Sequence, residues 1–95
     1  MSRILTKTEK IEIPEWELVE KYGTFDMHAN TLCEFLRDKL IWSLVYWKFA
    51  SEEYILIQCL YVGKSINHTV IKYTLTKENY ATACDIITKI WEGDK

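Results

Sequence analysis

Apolar and polar residues alternate most regularly in the middle of the chain. There, β-branched and aromatic side chains dominate three segments, Ile41–Phe49, Tyr54–Val62 and Ile66–Leu75. The polar stretch ASEE separates the first two segments, and GKS separates the last two. A period of two residues is typical of β-strands, and connections this short permit hairpins. We therefore expect a three-stranded antiparallel meander.

The N-terminal quarter predicts an edge strand followed by a short helix. Four charged residues lie between the apolar residues of Arg3–Ile13, and such charge density is typical of a strand at the edge of a sheet. Pro14 prevents continuation of this strand and suits the first turn of a helix. The expected helix covers Glu15–Tyr22, with Trp16 and Val19 facing inward.

A second helix is predicted from Thr24 to Lys39, because apolar residues recur there at steps of three and four. These residues are Phe25, Ala29, Leu32, Cys33, Leu36 and Leu40. Thr31 and Glu34 have the spacing of a capping box, which would begin the helix later. The sequence therefore leaves two helix starts open, one at Thr24 and a later one set by the capping box.

The last segment predicts a third helix that begins after Thr76, a candidate N-cap, and ends at Gly93. The expected order is therefore β-α-α-β-β-β-α in a single domain, residues 1–95. This is an α+β fold. Its small antiparallel sheet consists of the three-strand meander and the N-terminal edge strand, and the helices pack on one face.

The α-β-β-β-α order expected from Thr24 to Glu92 is also the order of double-stranded RNA-binding domains. Those domains begin their last helix with a basic cluster directed at phosphates. Here that region reads TKENYATACDII, in which one lysine stands next to a glutamate. We therefore assign no family to the chain.

Loop lengths predict which residues share a face of the sheet, because a shift of one residue moves every side chain to the opposite face. A three-residue loop, GKS, pairs Cys59 with Thr69, and a four-residue loop, ASEE, pairs Phe49 with Tyr54. The face that the helices are expected to cover, the core face, carries Trp42, Leu44, Tyr46, Ile55, Ile57, Cys59, Tyr61, Ile71, Tyr73 and Leu75. The opposite or outer face carries Ser43, Val45, Trp47, Phe49, Tyr54, Leu56, Gln58, Leu60, Val62, His68, Val70, Lys72 and Thr74.

The outer face has many large apolar side chains, whereas a sheet face in contact with water is normally polar. An exposed apolar patch that contains Trp and Tyr is typical of a protein interface. The sequence therefore predicts a partner-binding surface made of Trp47, Phe49, Tyr54, Leu56, His68 and Lys72. The partner is another protein or a second copy of the chain, in a homodimer. An equally weighted alternative is that the N-terminal strand and the short helix cover this face.

The charge distribution disfavours nucleic acid as a partner. The net charge is −2 and basic residues have acidic neighbours, so the basic face of a phosphate-binding protein is not expected. Lys48, Glu52 and Glu53 interrupt the apolar middle of the chain too often for a membrane span. The N-terminus MSRILTKTEKIEI lacks the apolar region of a signal peptide. We expect a cytoplasmic protein, in the host cytoplasm if a phage encodes it.

Candidate catalytic and metal-binding residues are few. The cysteines, Cys33, Cys59 and Cys84, are odd in number and form no CxxC motif, which favours reduced thiols. No phosphate loop, catalytic motif or zinc-like spacing is present, so no enzymatic activity, cofactor or metal is expected. A two-residue turn at Gly63 and Lys64 would set Cys59 opposite His68, but it would also turn Lys72 to the core face. We therefore do not expect a catalytic dyad.

These features predict a small non-enzymatic protein that binds another protein as an inhibitor or immunity-type factor. A phage- or plasmid-encoded anti-defence factor, such as an anti-CRISPR, belongs to this class. The alternative is a module that binds a small ligand or a nucleotide on the same aromatic face. A hydrolase that uses Cys59 and His68 is a weaker third hypothesis.

Overall fold

The fold is a five-stranded sheet with two helices, seen in a computed structural model that describes residues 4–5, 13–22, 29–37, 39–64 and 67–93. Its elements in chain order are β1 (Ile4–Leu5), α1 (Trp16–Tyr22), β2 (Ala29–Arg37), β3 (Leu40–Phe49), β4 (Glu52–Tyr61), β5 (His68–Thr74) and α2 (Lys77–Glu92). The strands follow the order β1-β2-β3-β4-β5. β2 to β5 are antiparallel to their neighbours, whereas β1 is parallel to β2. An α+β fold with an antiparallel sheet is thus confirmed.

The helix predicted from Thr24 to Lys39 is wrong, because its described part forms the strand β2. A bulge between Thr31 and Cys33 adds one residue to β2, so that Leu32 and Cys33 are both buried. The extra residue breaks the alternation of the strand and gives its apolar residues a helix-like spacing. The element order is therefore β-α-β-β-β-β-α, and the order shared with double-stranded RNA-binding domains is not observed.

The N-terminal predictions are confirmed in part, because Ile13, the last residue of the predicted strand, does not belong to a strand. Ile4–Leu5 is a strand at the edge of the sheet, and residues 6–12 of the predicted strand lie outside the described residues. The helix α1 begins at Trp16, one residue later than expected. Val19 is fully buried and Trp16 is half-buried, as their spacing predicts.

The core lies between the helices and one face of the sheet. Tyr80, Ala83 and Ile87 of α2 are buried in one cluster with sheet residues that include Leu44, Tyr46, Ile55 and Ile57. Val19 of α1 belongs to the same cluster. Trp16 contacts the Tyr80 ring, with centroids 5.8 Å apart, and the Tyr80 hydroxyl donates a hydrogen bond to the Pro14 carbonyl oxygen. Both helices therefore contribute to the same core.

The C-terminal end of α2 is attached to β2. The rings of Phe35 and Trp91 meet edge to face, with centroids 5.1 Å apart. Arg37 Nη1 donates a hydrogen bond of 3.2 Å to the Trp91 carbonyl oxygen. This oxygen belongs to the last turn of α2, where carbonyl groups have no hydrogen-bond donor within the helix itself. Gly93 caps the helix with a φ of 91°, and a Cβ atom there would collide with the Arg37 guanidinium. Only glycine fits this position without strain.

The hairpin between β3 and β4 is tighter than predicted. Phe49 pairs with Glu52, and the turn therefore consists of Ala50 and Ser51 alone. Ala50 has a φ of 57°, a conformation that favours glycine. This turn moves the register by two residues from the predicted one, in which Phe49 paired with Tyr54. Because a shift of two residues preserves the facing of side chains, the predicted division into faces holds for these two strands.

The hairpin between β4 and β5 contains both registers that its loop sequence permits. Ile57 pairs with Ile71, as in the three-residue loop, whereas Cys59 pairs with His68, as in the two-residue loop. The register changes between Ile57 and Gln58, where β5 has one additional residue. This bulge keeps Lys72 opposite Leu56 on the outer face and still brings His68 opposite Cys59.

The N-cap of α2 gives a first prediction. The Thr76 side-chain oxygen accepts a hydrogen bond of 3.0 Å from the Asn79 backbone N–H. Thr76→Ala should therefore lower the free energy of unfolding by about 1 kcal/mol in a urea titration. The control is Thr82→Ala inside the same helix, which should be neutral or slightly stabilising because alanine is the better helix former. Equal losses in the two variants would contradict the capping role.

The hydroxyl of Tyr46 gives a second prediction. Its ring is fully buried, and the hydroxyl donates a hydrogen bond of 2.7 Å to Glu53 Oε2. Burial and this hydrogen bond raise the pKa of Tyr46 above its ordinary value of 10. The unfolded chain therefore loses the Tyr46 proton at a lower pH than the folded chain does. The stabilisation is complete below pH 10 and decreases as the pH rises above it.

The free energy of unfolding of the parent protein should consequently fall more steeply above pH 10 than that of Tyr46→Phe. At neutral pH, Tyr46→Phe should be less stable by about 1 kcal/mol, because one hydrogen bond is lost while the ring is kept. The measurement is denaturant unfolding at a series of pH values for both proteins. Identical slopes above pH 10 would show that the hydroxyl is not held in this way.

Candidate functional site

The outer face consists of rows of residues that run across the strands. In the first rows, Trp47 pairs with Tyr54, and Phe49 pairs with Glu52 at the hairpin end. Next to them lies a row of Thr31, Val45, Leu56 and Lys72, followed by a polar row of Glu34, Ser43, Gln58 and Thr69. Leu36, Ile41 and Leu60 form the last apolar row. The apolar surface thus continues across several strands.

Three aromatic side chains at the hairpin end form what we call the aromatic cluster: Trp47, Phe49 and Tyr54. Trp47 stacks on both neighbours, with ring centroids 5.8 Å from each. Lys72 Nζ lies 4.4 Å from the centroid of the Tyr54 ring, a cation–π contact. The Tyr54 hydroxyl donates a hydrogen bond of 2.8 Å to Glu52 Oε1. These contacts fix the orientation of the rings before any partner binds.

Exposure separates the residues that a partner can touch from those beneath them. The Phe49 side chain is 59% exposed, and Trp47 and Tyr54 are half-buried. Val45 and Leu56 are only 6% exposed. Leu56, one of the predicted contact residues, therefore supports the surface rather than presenting an accessible side chain. The aromatic cluster is the accessible apolar part of the predicted site.

Neither described helix covers the outer face. Val19 and Trp16 of α1 pack into the core with Tyr80, and α2 packs there too. The alternative in which the N-terminal strand and α1 cover the outer face is therefore not observed for α1. Residues 6–12, the other part of that expected cover, lie outside the described residues.

His68 does not belong to the outer face, in contrast to the prediction. The bulge in β5 pairs it with Cys59, which itself pairs with Trp42 on the core face. Directly paired residues of antiparallel strands point to the same face. His68 is exposed and Cys59 is half-buried at the margin of the core face. The structure therefore separates His68 from the other predicted contact residues.

The outer face contains few charged groups. Glu34 lies opposite Ser43, and partial burial raises the pKa of its carboxyl group. The hydrogen bond to Glu52 raises the pKa of Tyr54. Glu52 belongs to β4, whereas the sequence placed it in a loop. Of these two carboxylates, only that of Glu52 lies beside the aromatic cluster.

A shallow depression of about 320 Å³ lies beside the aromatic cluster. Its lining residues are Ser51, Glu52, Glu53, Tyr54, Thr74 and Leu75. The Glu53 carboxylate accepts the hydrogen bond of Tyr46, and the Glu52 carboxylate accepts that of Tyr54. Both carboxylates therefore have partners within the molecule.

The three cysteines are free thiols in different surroundings. Burial is the main reason that the pKa of Cys33 rises to about 12. Burial also raises the pKa of Cys84, and a hydrogen bond with Tyr80 partly opposes this effect. Both thiols therefore stay protonated at neutral pH. In the part of the chain that the structure describes, no three His, Cys, Asp or Glu side chains are grouped as metal ligands. No helix among the described residues is long and apolar enough to span a membrane.

These differences predict an order of thiol reactivity. In the native protein, a thiol reagent should modify Cys59 first and Cys33 last, because the thiolate is the reactive form and burial both shields and neutralises Cys33. The measurement is time-resolved labelling at mild alkaline pH, with each site identified by peptide mass spectrometry. All three thiols should react in denaturant. Fewer than three reactive thiols, or equal native rates for Cys33 and Cys59, would contradict this assignment.

Comparison of the chain with family models, with curated proteins and with solved structures finds no match in any of the three. Function must therefore be inferred from the residues and their geometry alone.

Proposed function

We propose that this protein acts by binding another protein through the outer face of its sheet, as an inhibitor or immunity-type factor without catalytic activity of its own. Phage- or plasmid-encoded anti-defence factors, such as anti-CRISPR proteins, are the class of inhibitor that we propose. The aromatic cluster is the centre of the proposed interface. The alternative is that a second copy of the chain binds to the same face. The experiment below distinguishes a separate partner from a second copy.

The observation that supports this proposal is the exposure of large apolar side chains on a face that neither described helix covers. Phe49 is more than half exposed beside the half-buried rings of Trp47 and Tyr54. Full burial of one such side chain is worth about 1.5–3 kcal/mol, which a partner would recover. Tyrosine and tryptophan are also enriched among the residues that dominate protein interfaces.

The internal order of the cluster favours a protein partner over a small planar ligand. Trp47 already stacks on two rings, and Lys72 lies over the ring of Tyr54. A ligand that needs free ring faces would have to displace these contacts. A protein surface can instead pack against the ring edges and the exposed Phe49. Rings that are already fixed also lose little conformational entropy on binding.

Alanine substitutions in the cluster test this proposal. Phe49→Ala and Trp47→Ala should each weaken partner binding by about 2 kcal/mol, as expected for a central aromatic residue of an interface. The folded monomer should keep most of its stability in Phe49→Ala, because that side chain is largely exposed. The control is Leu18→Ala, which removes an exposed apolar side chain, 53% accessible, from α1. It should bind like the parent protein.

The measurements are sedimentation velocity of the purified chain and affinity capture from the native host with the parent and variant proteins as bait. A concentration-dependent dimer that Phe49→Ala dissociates would identify a second copy as the occupant. A captured protein that is lost with Phe49→Ala but kept with Leu18→Ala would identify a separate partner. A monomer whose captured proteins are identical for the parent protein and all three variants would contradict the proposal.

A further inference from the structure

β5 lies at one end of the sheet, and among the described strands β4 is its only neighbour. The Leu75 N–H donates a hydrogen bond of 2.9 Å to the Glu53 carbonyl oxygen, so these two facing residues are a hydrogen-bonded pair. Such pairs alternate with non-hydrogen-bonded pairs along antiparallel strands. Tyr54 and Thr74 are therefore a non-hydrogen-bonded pair, and Lys72, two residues earlier, is in the same position. The backbone groups of Thr74 and Lys72 thus point away from β4, to the free edge.

The regular part of this edge is short. Val70, the additional residue of β5, interrupts the regular pairing with β4 between Thr69 and Ile71. The edge beyond this bulge offers four backbone groups to another strand, the N–H and C=O groups of Lys72 and of Thr74. Free edges are templates for pairing with other chains, and proteins protect them with bulges and charged side chains. The bulge and the Lys72 side chain are protections of this kind.

One of the four edge groups is already occupied. Asn79 Nδ2 of α2 donates a hydrogen bond of 2.8 Å to the Thr74 carbonyl oxygen. The Asn79 backbone N–H is bonded separately to the Thr76 side chain, so the helix cap does not need the Asn79 amide group. At this third position of a helix, Glu or Gln commonly bonds back to the N-cap residue. Here the asparagine side chain bonds to the edge of the sheet instead.

From this contact we infer that the Asn79 side chain prevents β5 from pairing with β5 of a second copy of the chain. Two-fold antiparallel pairing with Tyr73 opposite its own copy would make Lys72 exchange hydrogen bonds with Thr74 of the second copy. This register uses all four edge groups and keeps the two lysines from facing each other. A register with the lysines directly opposite brings like charges together, which is destabilising. The favourable register therefore requires the Thr74 carbonyl group that Asn79 occupies.

The experiment compares the parent protein with Asn79→Ala, which removes the amide group and keeps the capped backbone N–H. Sedimentation velocity over a concentration series should show self-association that is stronger by about tenfold, because one carbonyl acceptor becomes free in each copy. Amide hydrogen exchange followed by NMR should show that the Lys72 and Thr74 N–H groups become protected as the concentration of Asn79→Ala rises. Association through the aromatic cluster would not protect these two groups, so this measurement is independent of the proposed function.

The parent protein provides the reference for the exchange measurement. Its Lys72 and Thr74 N–H groups should exchange fast at all concentrations, since they face the free edge. The N–H groups of Tyr73 and Leu75 should exchange slowly, since they face β4.

A second variant, Asn79→Glu, removes the donor and forms a capping box with Thr76, which keeps the start of α2 stable. It should gain the same protection at Lys72 and Thr74. The matched control is Thr82→Ala, which removes a side chain that bonds within α2, to the Glu78 carbonyl oxygen. It should associate no more than the parent protein does, and denaturant unfolding should show that the variants are folded.

The inference is overturned if both Asn79 variants keep the association state of the parent protein. Association of Thr82→Ala to the same extent would overturn it as well. Association of the Asn79 variants without protection of the Lys72 and Thr74 N–H groups would show that another surface is responsible, and it too would overturn the inference.

Discussion

β3 and β4 pair without interruption from Leu40 with Tyr61 to Phe49 with Glu52, and both strands have apolar side chains on their two faces. This pairing is the constraint on which the other elements depend. Its core side provides Leu44, Tyr46 and Ile57, against which α2 packs. Its outer side provides Trp47 and Tyr54 in directly opposite positions. A single hairpin therefore determines both the core and the proposed interface, and its two neighbouring strands, β2 and β5, adapt to it with bulges.

The sequence predicted the elements in which apolar residues alternate regularly and missed those in which a bulge interrupts the alternation. β3, β4 and the cap of α2 have clear local signals, namely alternation and a threonine at the N-cap. β2 has none, because its bulge buries Leu32 and Cys33 together and the resulting spacing resembles that of a helix. Two neighbouring residues contradict the helical stripe: Phe35 lies outside the stripe and is buried, whereas Leu36 belongs to it and is exposed.

Bulges also explain why the outer-face position of Trp47 and Tyr54 could be predicted from the sequence and that of His68 could not. The division of β3 and β4 into faces depends only on parity. The prediction that Trp47 and Tyr54 lie on the outer face therefore survived an error of two residues in register, although Tyr54 was predicted to pair with Phe49. The facing of His68 depends on a register shift inside β5. Each loop length predicts one register for a whole hairpin, whereas the strand uses two. No local sequence signal marks the position of the change.

The contact between Arg37 and Trp91 has a consequence for how the chain reaches this structure. Arg37 and Trp91 are 54 residues apart in sequence, yet the arginine satisfies a carbonyl group at the end of α2 and fills the space beside Gly93. Closing so long a loop has an entropic cost that local hydrogen bonds do not carry. The final turn of α2 thus gains its full set of hydrogen bonds only after β2 has joined the sheet. A residue from β2, distant in sequence, thus completes the hydrogen bonding at the end of the helix.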